Sequence, residues 1–249
     1  MKTGFIITAY KQIDLCTNTI NMIRKDYGIL KTSPIIIVTT SEEDIGFKEL
    51  ENINDNIFVI ENKDVPRCTP VNYLGIEHYG FNLSKRILIS LQKGLDKAIE
   101  LNLDVIIHLH SDTYWQSNKI DILTEYLKDV YENKLLFSGD LSLIDVDSPI
   151  TRDIHFEPEG LIINIKESVK CGFAKFENIW AGDFNSHNYG SIEAMIGQFA
   201  VWCLSKQTIL SNEPLPKIYR EKVKIRQTRP CHGIFEDGLV NQKIIQPYD

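Results

Sequence analysis

The stretch Asp104-Val-Ile-Ile-His-Leu-His-Ser-Asp-Thr-Tyr-Trp115 constrains the fold of this chain more than any other. Val105, Ile106, Ile107 and Leu109 place apolar side chains on both faces of a short run, as in a strand buried on two sides. Such strands belong to parallel sheets covered by helices. One covering helix stands just upstream, where Leu83, Ile87, Leu88, Leu91, Leu95 and Ile99 repeat at helical spacing. Open α/β sheets bind ligands beyond the carboxyl ends of their strands, so His110, Ser111 and Asp112 fall where a metal–phosphate site would sit.

The same alternation runs through the first half. Residues 5–10 read as a first strand, followed by Leu15, Cys16, Ile20 and Ile23 at helical spacing; 35–38 read as a second strand, 57–60 as a third and 105–109 as a fourth. Beyond Asp112, Ile120, Leu123, Leu127 and Tyr131 mark an amphipathic helix, and 135–138 another strand. This βαβ pattern predicts a mostly parallel central sheet flanked by helices. From about 140 to 190 the sequence mixes Pro, Gly, Asn and aromatics without a period, as loops shaping a substrate surface do. Residues 199–204 read as a strand, and the tail from 212 is rich in charge and Pro. No repeat or linker divides the chain, so the expectation is one α/β domain over 1–249, with a nucleotide-type first half (about 1–140) and a variable second half (about 141–249), which the resemblance given below makes the acceptor side.

The formal charge of −7 argues against binding along a nucleic-acid backbone, which needs an extended cationic surface. Five scattered cysteines, odd in number and without a CxxC pair, signal neither a disulfide framework nor a structural zinc cluster. The apolar stretch at the amino terminus is too short for a secretion signal, and no run approaches ~20 apolar residues. A soluble, cytoplasmic protein is expected, with a peripheral membrane contact left open. There is no GxGxxG after the first strand and no GxxxxGK[ST], HExxH or GxSxG, which removes the usual support for dinucleotide oxidoreductases, P-loop NTPases, zincins and α/β-hydrolases.

Three groups follow strand ends: Thr8, Ala9 and Tyr10; the acidic residues Glu42, Glu43 and Asp44; and His110, Ser111 and Asp112. Parallel neighbours end on one edge, so these groups are expected to share a cleft. Tyr10 suits stacking on a base, a carboxylate of 42–44 suits a base or ribose, and Asp112 suits a divalent cation bridging a diphosphate. The plainer readings are that Tyr10 packs over a helix and that the acidic run caps a loop. His108 shares a strand face with His110 but lies deeper, as a satisfied core histidine would. Arg220, Lys222, Lys224, Arg226 and Arg229 concentrate basic charge. An extended segment would put Lys222, Lys224 and Arg226 on one face, either to grip an anion or as the charged edge of a sheet. Trp180, Asp183, His187 and Tyr189 mark a loop of the kind that stacks on sugars.

Over roughly residues 4–140, the opening Ile6-Ile7-Thr8-Ala9-Tyr10, the acidic end of the second strand, the helix starting near Asn82 and the strand ending in His110-Ser111-Asp112 resemble the nucleotide-binding half of GT-A-fold glycosyltransferases. In that family the fourth strand ends in an Asp-x-Asp motif that binds the cation of a nucleotide-diphosphate sugar; here His110 replaces the first Asp and Asp112 keeps the last. Residues 197–204, followed by Phe235-Glu236-Asp237, resemble the acceptor-side strand and Glu-Asp motif of family-2-like members. The resemblance implies Asp237, with Glu236 as alternate, as the base of an inverting transfer. It implies Thr8, Ala9, Tyr10, Glu42, Glu43 and Ser111 against the nucleotide sugar, and Asp112, His110 and His232 around Mn²⁺ or Mg²⁺. The implied function is metal-dependent transfer of a sugar from a nucleotide-diphosphate donor to a hydroxyl of a carbohydrate or other acceptor. A helix start is the plain reading of Glu236 and Asp237. Two other functions stay open. A sugar-1-phosphate nucleotidyltransferase would carry a Gly- and Arg-rich loop where Ala9-Tyr10-Lys11-Gln12 stands, and a non-catalytic nucleotide-sugar or glycan-binding module would account for His110.

Overall fold

The computed structural model describes residues 1–10, 12–40, 46–53, 55–63, 71–73, 76–78, 80–140, 156–179, 192–207, 214–226, 230–232, 234–236 and 239–241. In chain order the elements are β1 (Thr3–Ala9), α1 (Ile13–Asp26), β2 (Ile35–Thr39), β3 (Ile57–Glu61), β4 (Val71–Tyr73), β5 (Ile76–His78), α2 (Gly80–Glu100), β6 (Val105–His110) and β7 (Thr113–Tyr114). They continue with α3 (Ile120–Glu132), β8 (Phe137–Asp140), β9 (Ile162–Asn164), α4 (Ile165–Cys171), α5 (Ile192–Ser205), α6 (Lys217–Lys222), β10 (Val223–Arg226), β11 (Cys231–His232), β12 (Ile234–Glu236) and β13 (Leu239–Asn241).

Seven strands form one sheet in the order β10-β8-β9-β6-β1-β2-β3. β9 runs antiparallel to β6 and β8, and the other neighbours are parallel. Both halves of the chain therefore build one mixed, mostly parallel sheet flanked by helices, a GT-A-like α/β fold.

The period of two along each strand sorts its apolar residues into two cores. Ile6, Ile36 and Ile106 pack with Leu88, Leu91 and Leu95 of α2 and with α5, while Phe5, Ile7, Ile35, Ile37 and Ile107 pack with α1 and α3. Helices on both faces are what made these strands read as unbroken apolar runs. α2 lies close on β1: a Cβ on Gly94 would stand 2.5 Å from Ile6 Cγ2, so glycine sets that spacing.

The strand expected at 199–204 is instead part of α5, a helix buried nearly all round. Phe199 to Leu204 are apolar at every position and carry no period, so only length separates a buried helix from a buried strand, and the helix extends back to Ile192. Phe199 completes an aromatic cluster with Phe173 (5.8 Å between ring centroids), which in turn meets Phe137 of β8 at 5.5 Å.

The basic segment also departs from expectation. Lys222 ends α6, and β10 begins at Val223. Lys224 and Arg226 do share a face, both near the Tyr126 ring of α3, but the Lys224 side chain is half-exposed while Arg226 is buried. Arg226 is 3% exposed whereas Ile225 is 42% exposed. Among the described residues, Cys16, Cys171, Cys203 and Cys231 are free thiols, and no helix is long and apolar enough to cross a membrane.

Candidate functional site

A cavity of about 390 Å³ opens at the carboxyl edge of the sheet, in the size range of small-ligand pockets. The register sets Thr8 beside both Val38 and His110, and Ala9 beside Thr39, so the ends of β1, β2 and β6 meet there. Its walls are Thr8, Ala9, Tyr10 and Gln12 after β1, Thr40 after β2, Arg86, Ile87 and Ser90 from α2, and His110, Ser111 and Asp112 after β6. A larger groove of about 500 Å³ is walled by Leu135, Val223 and Lys224, at the amino ends of β8 and β10. It lies away from the edge where such sheets bind ligands.

Arg86 is one of two residues that sequence reasoning missed. It is 6% exposed, donating from Nε to Thr40 Oγ1 at 2.8 Å and from Nη2 to the Thr40 carbonyl at 2.6 Å. Its guanidinium carbon lies 4.0 Å from the Tyr10 ring centroid. Tyr10 is itself 45% exposed, so the ring packs on a cation of α2 with much of its surface left open. The available signal was positional: a helix between parallel strands runs antiparallel to them, so a cation in its first turns faces the ligand edge.

The end of β6 is tied down on several sides. The Ser111 hydroxyl donates to Gln12 Oε1 at 2.6 Å, the Ser111 carbonyl accepts from Thr19 Oγ1 at 2.8 Å, and the His110 N–H donates to Thr113 Oγ1 at 2.8 Å. Asp112 sits on this anchored turn.

The surroundings of the two histidines push them in opposite directions. His108 is buried, with Nδ1 2.6 Å from the Pro158 carbonyl and Nε2 3.1 Å from Thr8 Oγ1. The carbonyl only accepts, so Nδ1 carries the proton and the Thr8 hydroxyl donates to Nε2. It is the satisfied core histidine the strand pattern implied, and burial pushes its pKa down to about 3. The unfolded chain therefore binds this proton more readily than the folded one. Stability is expected to fall as pH drops from about 6.5 toward 3, by up to about 1.4 kcal/mol per pH unit from this group. Denaturant melts across that range should flatten in His108→Asn; an unchanged slope would remove His108 as the cause.

His110 places Nδ1 2.9 Å from a carboxylate oxygen of Glu159, a second residue absent from the sequence reading. Burial disfavours the imidazolium, but Glu159, with Asp112 and Glu157 behind it, outweighs burial and raises the pKa. The other nitrogen, Nε2, is shielded from solvent and has no hydrogen-bond partner.

The second half reaches this edge through β11, where His232 pairs with Thr113 and Cys231 with Tyr114. This sets the His232 backbone beside the turn bearing Asp112. Glu236 pairs with Leu239 in the β12–β13 hairpin, so a strand stands where a helix start was the plain reading. Glu42, Glu43, Asp44, Asp183, His187, Tyr189, Arg229 and Asp237 lie outside the described residues. Among the described residues no three His, Cys, Asp or Glu side chains gather closely enough to hold a metal unaided.

No protein-family model matches this sequence, and no curated protein matches it. Among solved structures, the galactosyltransferase LgtC in complex with donor and acceptor sugar analogues is similar over 93% of this chain and 86% of its own, at 13% identity and a TM-score of 0.52. An active-site mutant of LgtC covers the same shares at 12% identity and a TM-score of 0.53. A cytidylyltransferase from Leptospira borgpetersenii serovar Hardjo-bovis is similar over 77% of this chain and 74% of its own, at 15% identity and a TM-score of 0.42. At these identities the likeness to LgtC is one of fold.

Proposed function

We propose that this chain is a glycosyltransferase that moves a sugar from a nucleotide-diphosphate donor to an acceptor hydroxyl with the help of Mn²⁺ or Mg²⁺. The observation that carries this reading is one cavity at the carboxyl edge with an exposed Tyr10 over Arg86 on one side and the His110–Asp112 turn on the other. That arrangement suits a ligand with an aromatic base at one end and a metal-bound diphosphate at the other. The fold shared with LgtC, a galactosyltransferase solved with sugar analogues, supports it.

The residues of this edge could form part of a shell for a divalent cation. Asp112 would supply a carboxylate, and the orphaned His110 nitrogen a second donor better suited to Mn²⁺ than to Mg²⁺, with the substrate's phosphate oxygens needed to complete the shell. A bound cation would offset the charge of the departing diphosphate. Tyr10 stacks on the base, and Arg86 adds a fixed positive charge to the wall. On the acceptor side, Asp237 takes the hydroxyl proton as the new bond to the anomeric carbon forms and the bond to the diphosphate breaks, inverting that centre. The free thiols are in keeping with a cytoplasmic setting. A non-catalytic binding module is the second reading, favoured by His110 in place of an aspartate.

Thermal melts with uridine, guanosine, cytidine and thymidine diphosphates, each with and without Mn²⁺, test the reading directly. A ligand at 100 times its Kd stabilises the native state by about 2.7 kcal/mol. A set in which no diphosphate raises the Tm refutes it. Tyr10→Ala should cost roughly 1–3 kcal/mol of donor affinity, or about 5- to 150-fold in Kd. Equal affinity in Tyr10→Ala and parent would mean the base stacks elsewhere.

A further inference from the structure

The turn before β9 folds back over the end of β6 and is held from several directions. The Pro158 carbonyl accepts from His108, and the Gly160 N–H donates to the His108 carbonyl at 2.7 Å. Gly160 has φ +77°, and a Cβ there would stand 2.6 Å from Pro230 Cδ, so only glycine fits. Its carbonyl accepts from Arg226 Nη2 at 2.5 Å, and that guanidinium lies 5.2 Å from the Trp115 ring and 5.7 Å from Tyr126. Glu159 thus projects from a backbone fixed by β6 on one side and β10 on the other, with its side chain 15% exposed and 2.9 Å from His110 Nδ1.

We propose that Glu159 is a positioning residue for the donor site: it holds the Nδ1–H of His110, so that the unpartnered Nε2 is the nitrogen offered to a divalent cation beside Asp112. This rests on the donor reading above. A carboxylate only accepts, so a neutral imidazole facing it keeps its proton on Nδ1 and its lone pair on Nε2. The contact also makes Nε2 more basic, as carboxylate–histidine pairs do behind bound metals. It explains how His110 can stand where the resemblance expects an aspartate. An imidazole brings no negative charge, and Glu159 restores that charge one residue behind it.

The test is NMR of the His110 imidazole in metal-free protein at alkaline pH, followed by Mn²⁺ titration read from broadening of its resonances. The parent should show a single tautomer protonated at Nδ1. Glu159→Ala should mix the tautomers and weaken Mn²⁺ binding by roughly 10- to 100-fold. Glu159→Gln, which keeps an acceptor oxygen and serves if the alanine variant fails to fold, should hold the tautomer yet weaken Mn²⁺ through the lost charge. A single Nδ1–H tautomer in Glu159→Ala, Mn²⁺ affinity equal to the parent in both variants, or a parent that binds no Mn²⁺ overturns the proposal. Nucleoside diphosphate binding by the parent is scored separately. Its failure sinks the transferase reading, whereas normal donor binding with unaltered Mn²⁺ affinity in the Glu159 variants sinks this inference alone.

Discussion

Asp112→Asn is expected to remove most of the metal-dependent affinity for nucleoside diphosphates while leaving a folded protein. Asparagine keeps the shape of the side chain but not the charge that a hard divalent ion requires of its oxygen ligands. Two unit charges 4 Å apart at an effective dielectric of 20 are worth about 4 kcal/mol. Partial exposure of the turn reduces that, giving a loss of roughly 10²–10³-fold in the metal-dependent Kd. The fold should survive because the turn has other ties: the Thr113 hydroxyl to the His110 N–H, Gln12 to Ser111, and Thr19 to the Ser111 carbonyl. Calorimetry with and without Mn²⁺ reads the result. Unchanged metal-dependent affinity in a folded variant would move the cation away from β6.

The parts legible in the sequence are those governed by period. Ile6, Ile7, Ile106 and Ile107 announce strands with a helix on each face, and such strands carry their carboxyl ends to one edge. That logic alone brings Thr8, Tyr10, His110 and Asp112 into one cavity. It fails where period is silent. Ala200, Val201 and Cys203 belong to a helix so evenly apolar that it looks the same as a buried strand. Arg226 looks like an edge cation but is buried near Tyr126, because a strand's alternation says which residues share a face and not how deeply each one is covered. Glu159 and Arg86 stayed hidden because their partners, His110 and Thr40, are set by tertiary packing across β6 and β2. No spacing within a single segment encodes either contact.

Asp237→Asn carries the largest expected effect on catalysis. The proposed base acts only on the acceptor's proton, a contact that gains strength as the hydroxyl attacks, so its loss should appear in turnover and not in donor affinity. Removing a general base typically costs 10²–10⁴-fold, and kcat is expected to fall by about that factor while the donor Kd stays close to that of the parent. Asp237 lies in sequence just after β12, and β11 upstream ties the same segment to the Asp112 turn through the His232–Thr113 pairing. Slow hydrolysis of the donor, with water as acceptor, gives a readout before the natural acceptor is known. A variant that loses donor binding together with turnover would assign Asp237 to the donor pocket, leaving Glu236 to be tested as the base. A parent that binds a nucleotide sugar but neither hydrolyses it nor transfers it to a panel of sugar, lipid and peptide acceptors would be a binding module, in which His110 marks the loss of turnover.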